Sequence, residues 1–146
     1  MGIEVELRKM VQASPKSVWS LLASPKAWST WWPECESAST LDSKALREGS
    51  QLRVAIKPGN NLMELEPEVD LFTDERTLSF THRSALLQCT CVFYLHEKPT
   101  GTLVVVQAVS EGLQSFVAKI MGRGHLVQVV LESGLRGLKR LAERME

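Results

Sequence analysis

No apolar run in this chain approaches the roughly 18 residues that a membrane-spanning helix needs, so stable insertion into a bilayer is not expected. Neither sign of charge is in excess: Lys plus Arg number 17, and so do Asp plus Glu. A nucleic-acid partner is not expected either, because a basic surface normally supplies that affinity. Cysteine is scarce, and the three present, Cys35, Cys89 and Cys91, are an odd number. The opening MGIEVELRK lacks the basic start and apolar run of a signal peptide. Glu6 stands where a myristoylation signal takes Ser or Thr. Together these features predict free thiols and a reducing, cytoplasmic setting. Reaction motifs are missing too: there is no Gly-rich phosphate loop, GxSxG, HExxH or CxxC. No cofactor and no metal site are expected. No catalytic set can be placed, so whether a reaction is catalysed stays open.

What is present is an ordinary globular balance of 44% hydrophobic and 23% charged residues, enough over 146 positions for one domain with a real core. Residues 3–12 alternate Ile3, Val5 and Leu7 against Glu4, Glu6 and Arg8, which predicts a half-buried strand. The string ASPK then occurs at 13–16 and again at 23–26. In each copy the Ser can cap a helix and the Pro fits its first turn, predicting short helices over 15–22 and 25–31. Val18, Leu21 and Leu22 form the inner face of the first, and Pro33 stops the second.

Strand patterns follow. They cover 35–41, 50–57, 63–72, 77–83, 86–97 and 102–110, joined by short polar turns, so the sheet should be antiparallel. In the 63–72 run, Met63, Leu65, Val69 and Leu71 share a face, and Pro67 inside it predicts an edge strand or a bulge. From Leu113 a three-four spacing through Val117, Ile120, Gly124, Val127, Leu131, Gly134, Leu138, Leu141 and Met145 predicts an amphipathic helix, interrupted near Gly122-Arg123-Gly124. A sheet with one apolar face must cover it, and this helix is the element long enough to do so.

That element order, with VWSLLASPKAWSTWWP near the start, resembles the START-like superfamily, which includes the birch-pollen-allergen fold and the polyketide cyclase/dehydrase and lipid-transport group. The matching residues are Pro15, Val18, Trp19 and Leu22, then Pro25, Trp28, Trp31, Trp32 and Pro33. Gly49-Ser50-Gln51-Leu52, Gly101-Thr102-Leu103-Val104 and Leu135-Arg136-Gly137-Leu138-Lys139 complete the pattern. The resemblance covers nearly the whole chain. It implies a single α+β domain over 1–146 with the helix-grip fold: a curved antiparallel sheet around a long C-terminal helix, with two short helices after the first strand. It further implies a cavity between sheet and helix, often holding a hydrophobic ligand. Fold does not dictate function, and carriers, cyclases and co-chaperone domains share this shape.

The expected partner is a hydrophobic small molecule such as a lipid, polyketide or quinone. The candidate ligand-binding residues are Trp28, Trp31, Trp32, Phe80, His82, Cys91, Phe93, Gln107, Phe116, Ile120, Gly124 and Val127. Indoles offer wide contact surface with a polar N–H, but they equally plug a junction between short helices and a sheet. Gly124 and Gly134 either keep a pocket open or let helix and sheet pack closely. His82 shares a strand face with Leu78 and Phe80, where an imidazole can orient a ligand or move a proton, or simply end a strand. Cys89 and Cys91 point to one face and fit core packing better than a metal site, which usually wants four ligands. Gln107 is polar within an apolar strand and is a candidate pocket group. Two rivals remain: a cyclase or dehydratase using His82 or His125 as acid/base, and an interaction protein docking through exposed Trp31 and Trp32. Oligomeric state is open.

Overall fold

Alternation of Val5 and Leu7 with Glu4, Glu6 and Arg8 gives strand β1 (Ile3–Val11) in the computed structural model, which describes residues 3–57, 60, 62–84, 87–112 and 125–146. The first ASPK copy then starts helix α1 (Pro15–Leu22). Ser14 Oγ accepts a hydrogen bond from the Ser17 N–H at 3.2 Å, and Val18, Trp19, Leu21 and Leu22 are buried. The second copy behaves differently. Ser24 makes no side-chain cap, and the expected helix over 25–31 is a 3₁₀ turn (Pro25–Ala27) running into the single-turn helix α2 (Trp28–Trp31). A helix this short has no propensity advantage, so its buried tryptophans hold it in place.

The strands are β2 (Cys35–Thr40), β3 (Leu52–Ile56), β4 (Met63–Leu65), β5 (Glu68–Thr73), β6 (Thr77–Arg83), β7 (Leu87–Lys98) and β8 (Gly101–Gly112). They pair in the orders β1-β8-β7-β6-β5 and β2-β3-β4, antiparallel throughout. Three hydrogen bonds stitch the two sets into one bent layer: Leu52 N–H to Pro67 O at 2.8 Å, Gly49 N–H to Val69 O at 2.7 Å and Val69 N–H to Ser50 O at 2.8 Å. The run expected as one strand over 63–72 is therefore split at Pro67, which has no N–H for the ladder and sits where the chain crosses from one sheet to the other. A register shift between Val69 and Leu71 follows. It turns Leu71 outward to 43% exposure, off the face it was expected to share with Val69.

Helix α3 (His125–Arg144) closes the open side of the bend, packing on β1, α1 and α2. At 1.5 Å per residue it is about 30 Å long, enough to cross the sheet. Its inward stripe is Val130, Leu131, Leu135, Leu138 and Ala142, with Leu138 and Ala142 fully buried. Met145, expected on that stripe, lies past the helix end and is exposed. Polar contacts tie the C-terminal end of α3 to β1: Lys139 Nζ donates to Met10 O at 3.1 Å, and Glu143 accepts from the Gln12 N–H at 2.7 Å.

Candidate functional site

The register of β6, β7 and β8 sets out the inner face of the sheet as cross-strand rows. One row is Leu78, Phe93 and Val106; the next is Phe80, Cys91 and Ala108; the third is His82, Cys89 and Ser110. Side-chain volume falls along the series, so space opens over the second and third rows. That space is a cavity of about 110 Å³. Trp28, Trp32, Val127, Val130 and Leu131 wall it from the helical side, and Val54, Ile56, Met63, Leu65 and Pro67 from the bent part of the sheet. Its lining is overwhelmingly carbon, the ordinary condition for burying an apolar molecule.

The tryptophans are positioned by their own N–H groups. Trp28 Nε1 donates to Leu22 O at 2.9 Å, Trp31 Nε1 to Leu21 O at 3.3 Å and Trp32 Nε1 to Val130 O at 3.0 Å. The indole rings form a continuous cluster: Trp31 stacks on Trp32 with centroids 5.4 Å apart, and Trp28 lies 5.3 Å from Phe80. All three indole N–H groups are thus satisfied within the fold, and Trp28 and Trp32 meet the cavity with ring carbon. Trp31 is one layer back and does not line it. Trp31 and Trp32 are 3% and 8% exposed, so they form no exposed aromatic patch of the kind that would favour an interaction-protein reading.

Of the other candidates, Phe80, His82, Cys91 and Val127 line the cavity. Phe93 lies behind the wall, packed near Trp32 and Phe80 at centroid distances of 6.4 and 6.3 Å. Gln107 is on the opposite face of the sheet. Strand alternation that points Val106 and Ala108 inward turns it outward, where its Nε2 donates to Glu6 Oε1 at 2.6 Å. Phe116, Ile120 and Gly124 lie outside the described residues, as does the His125 side chain. Gly134 does not open the pocket: an added Cβ there would sit 2.8 Å from Trp32 Nε1, so this glycine serves close packing of helix on indole.

His82 is the titratable group of the wall. Its Nδ1 accepts a hydrogen bond from the Glu66 N–H at 3.1 Å, which fixes the ring proton on Nε2. Burial lowers its pKa, and the nearby Glu66 carboxylate opposes this with a smaller upward pull. Burial likewise raises the pKa of Cys89, and that of Cys91 well above the usual thiol value, so both thiols are protonated and poor nucleophiles at neutral pH. All three cysteines are free. Among the described residues no group of three His, Cys, Asp or Glu side chains could hold a metal ion.

Sequence reasoning missed Cys89, Ala108 and Ser110 on the sheet wall, Val130 and Leu131 on the helix, and Val54, Ile56, Met63, Leu65 and Pro67 on the flank. A signal existed for Cys89, which shares a strand face with Cys91. For Ser110 the signal needed the β7–β8 register, which spacing within one strand does not supply.

A family model described as polyketide cyclase / dehydrase and lipid transport matches residues 2–143. The chain belongs to that family. Solved structures agree on the fold of this family member. TTHA0849 from Thermus thermophilus superposes with a TM-score of 0.81 at 18% identity, covering 98% of this chain and 99% of its own. A START superfamily protein from Mycobacterium smegmatis gives 0.75 at 18% identity, covering 98% and 99%. The Zhui aromatase/cyclase from a Streptomyces species gives 0.77 at 15% identity, covering 99% and 95%. At these identities the likeness is one of fold, the helix-grip arrangement of sheet and C-terminal helix. No curated protein matches the chain. No described helix of this family member is long and apolar enough to cross a membrane.

Proposed function

We propose that the protein binds a small hydrophobic molecule in the cavity between sheet and helix, as a carrier or sequestering module. The observation that carries this reading is the cavity itself: about 110 Å³ of space among tryptophan, aliphatic and thiol side chains. Burial of apolar ligand surface would supply the affinity, at about 25 cal/mol per Å². Membership of a family described by cyclases and lipid transport supports the same reading. Native mass spectrometry of the protein purified from its own host tests it. A bound species of a few hundred daltons that is lost on denaturation is the expected result. An empty protein that also binds no member of a panel of lipids and aromatic polyketides would refute it.

One observation favours a cyclase or dehydratase reading: His82, neutral and part of the cavity wall, is placed to move a proton. Against it, no carboxylate or second imidazole lines the cavity among the described residues. Replacing His82 by Ala separates the two readings. A carrier keeps most of its affinity, whereas an acid/base enzyme loses about 10²-fold or more in rate.

A further inference from the structure

The polar groups of the cavity are not scattered. The indole N–H groups of Trp28 and Trp32 are spent on Leu22 O and Val130 O, and the Pro67 carbonyl on the Leu52 N–H. What is left over on the described wall is the third cross-strand row, His82, Cys89 and Ser110, at one end of a space otherwise lined with carbon and the Cys91 thiol. With Nδ1 of His82 already accepting from Glu66, the imidazole has its Nε2–H to give. Ser110 is buried, and its hydroxyl has no hydrogen-bond partner among the described residues. Cys89 adds a weak S–H donor. His82 is half-buried and all three residues line the cavity, so these donors, unspent within the fold, are a place where a ligand oxygen can complete the pairing.

Charge and size narrow the ligand. No Lys, Arg, Asp or Glu lines the cavity among the described residues, so an ionised ligand group would be desolvated without a counter-ion. An apolar cavity of about 150 Å³ accommodates benzene, so one of about 110 Å³ is on the scale of a single ring rather than a whole lipid or polyketide.

We infer that the cavity takes an uncharged ligand whose buried end is about one ring in size and carries a single hydroxyl or carbonyl oxygen, docked against the His82–Cys89–Ser110 row. This rests on the binding reading above and adds orientation and chemical class to it. The row works as a selector. A ring with an oxygen at that end satisfies the donors, a ring without one leaves them unpaired, and a carboxylate brings a charge that nothing on the wall compensates.

Benzene, phenol and benzoate, titrated calorimetrically into the intact protein at neutral pH, test this. Phenol should bind at least as tightly as benzene, although an unmatched hydroxyl in an apolar pocket would weaken it about tenfold or more. Benzoate should bind at least about 100-fold more weakly than phenol. Ser110→Ala and His82→Phe should each shift the phenol-to-benzene preference toward benzene by about threefold to tenfold. Ala108→Leu, which fills the space, should abolish binding of both. Benzene binding about tenfold or more tighter than phenol would overturn the inference while leaving an apolar binder in place. Tightest binding by benzoate, or phenol binding untouched by Ala108→Leu, would also overturn it. Failure of all three probes to bind would count against the binding reading itself. The comparison in the unaltered protein decides the matter even if a variant does not fold, and His82→Gln, which keeps a side-chain donor, serves as a second variant at that position.

Discussion

Gly137→Ala should destabilise the protein even though alanine is the better helix former. Gly137 lies within α3, and an ideal Cβ added there would stand 1.7 Å from the Trp31 carbonyl oxygen and 2.8 Å from the Trp31 carbonyl carbon. Both are backbone atoms, so no side chain can rotate away. Helix and α2 must part by roughly 1.5 Å to restore ordinary contact, and interior packing of native density has no slack of that size. The separation would loosen Leu135 and Leu138 on α3 and the stacked pair Trp31 and Trp32 opposite. Overpacking of this kind costs about 1–3 kcal/mol, and a backbone-on-backbone overlap belongs at the upper end. Helix propensity returns about 1 kcal/mol. The net loss is about 2 kcal/mol, or roughly 4–8 °C in Tm for a domain of this size. Thermal and urea unfolding followed by circular dichroism measure it. Gly134→Ala is the internal comparison, because its added Cβ meets the Trp32 indole at 2.8 Å rather than backbone. It should change stability by less than about 1 kcal/mol. It should nevertheless weaken ligand binding, since Trp32 must shift and Trp32 lines the cavity. A Gly137→Ala variant as stable as the parent, or more so, would refute the placement of α3 against Trp31.

Leu138→Ala removes a fully buried side chain from the centre of the α3 stripe and should cost about 2–5 kcal/mol in urea unfolding. Ser14→Ala deletes the α1 cap and should cost about 1 kcal/mol, with Ser14→Gly costing less. His82 should titrate below about pH 6.5, the unperturbed value, in an NMR experiment on its ring protons. Above that pH the imidazole is neutral in both folded and unfolded chains and adds no slope. As pH falls below it the unfolded chain takes up its proton first, so stability declines until the lower folded-state pKa is passed, and His82→Phe should remove this component.

Periodicity settled most of the architecture in advance. The alternation in 77–83 and the three-four stripe of α3 are local facts, because a strand repeats every two residues and a helix every 3.6. Pro15 and Ser14 fixed the start of α1 for an equally local reason. Local signals failed at the points where partners decide. The second ASPK copy resembles the first, yet Ser24 caps nothing, since only a 3₁₀ turn follows it before the tryptophans dock. Pro67 carried a warning of irregularity, but the crossing between sheets there depends on what Leu52 and Gly49 bond to across the bend.

The sequence by itself determined which residues are apolar and the order and kind of most of the elements they form. It also determined the family, because the order of elements is written along the chain. Tertiary structure decided how those elements meet. Gln107 looked like a pocket group and faces outward beside Glu6, because the pairing of β1 with β8 sets which side of the strand is covered. Ser110, unremarkable in sequence, joins His82 and Cys89 because two strand registers bring three distant residues into one row. Gly137 stood in the sequence only as part of the 135–139 pattern, yet it admits the close approach of α3 to the Trp31 backbone. A cavity is space left between elements, and its shape depends on relative placement to within a methyl group, which no single element's pattern contains.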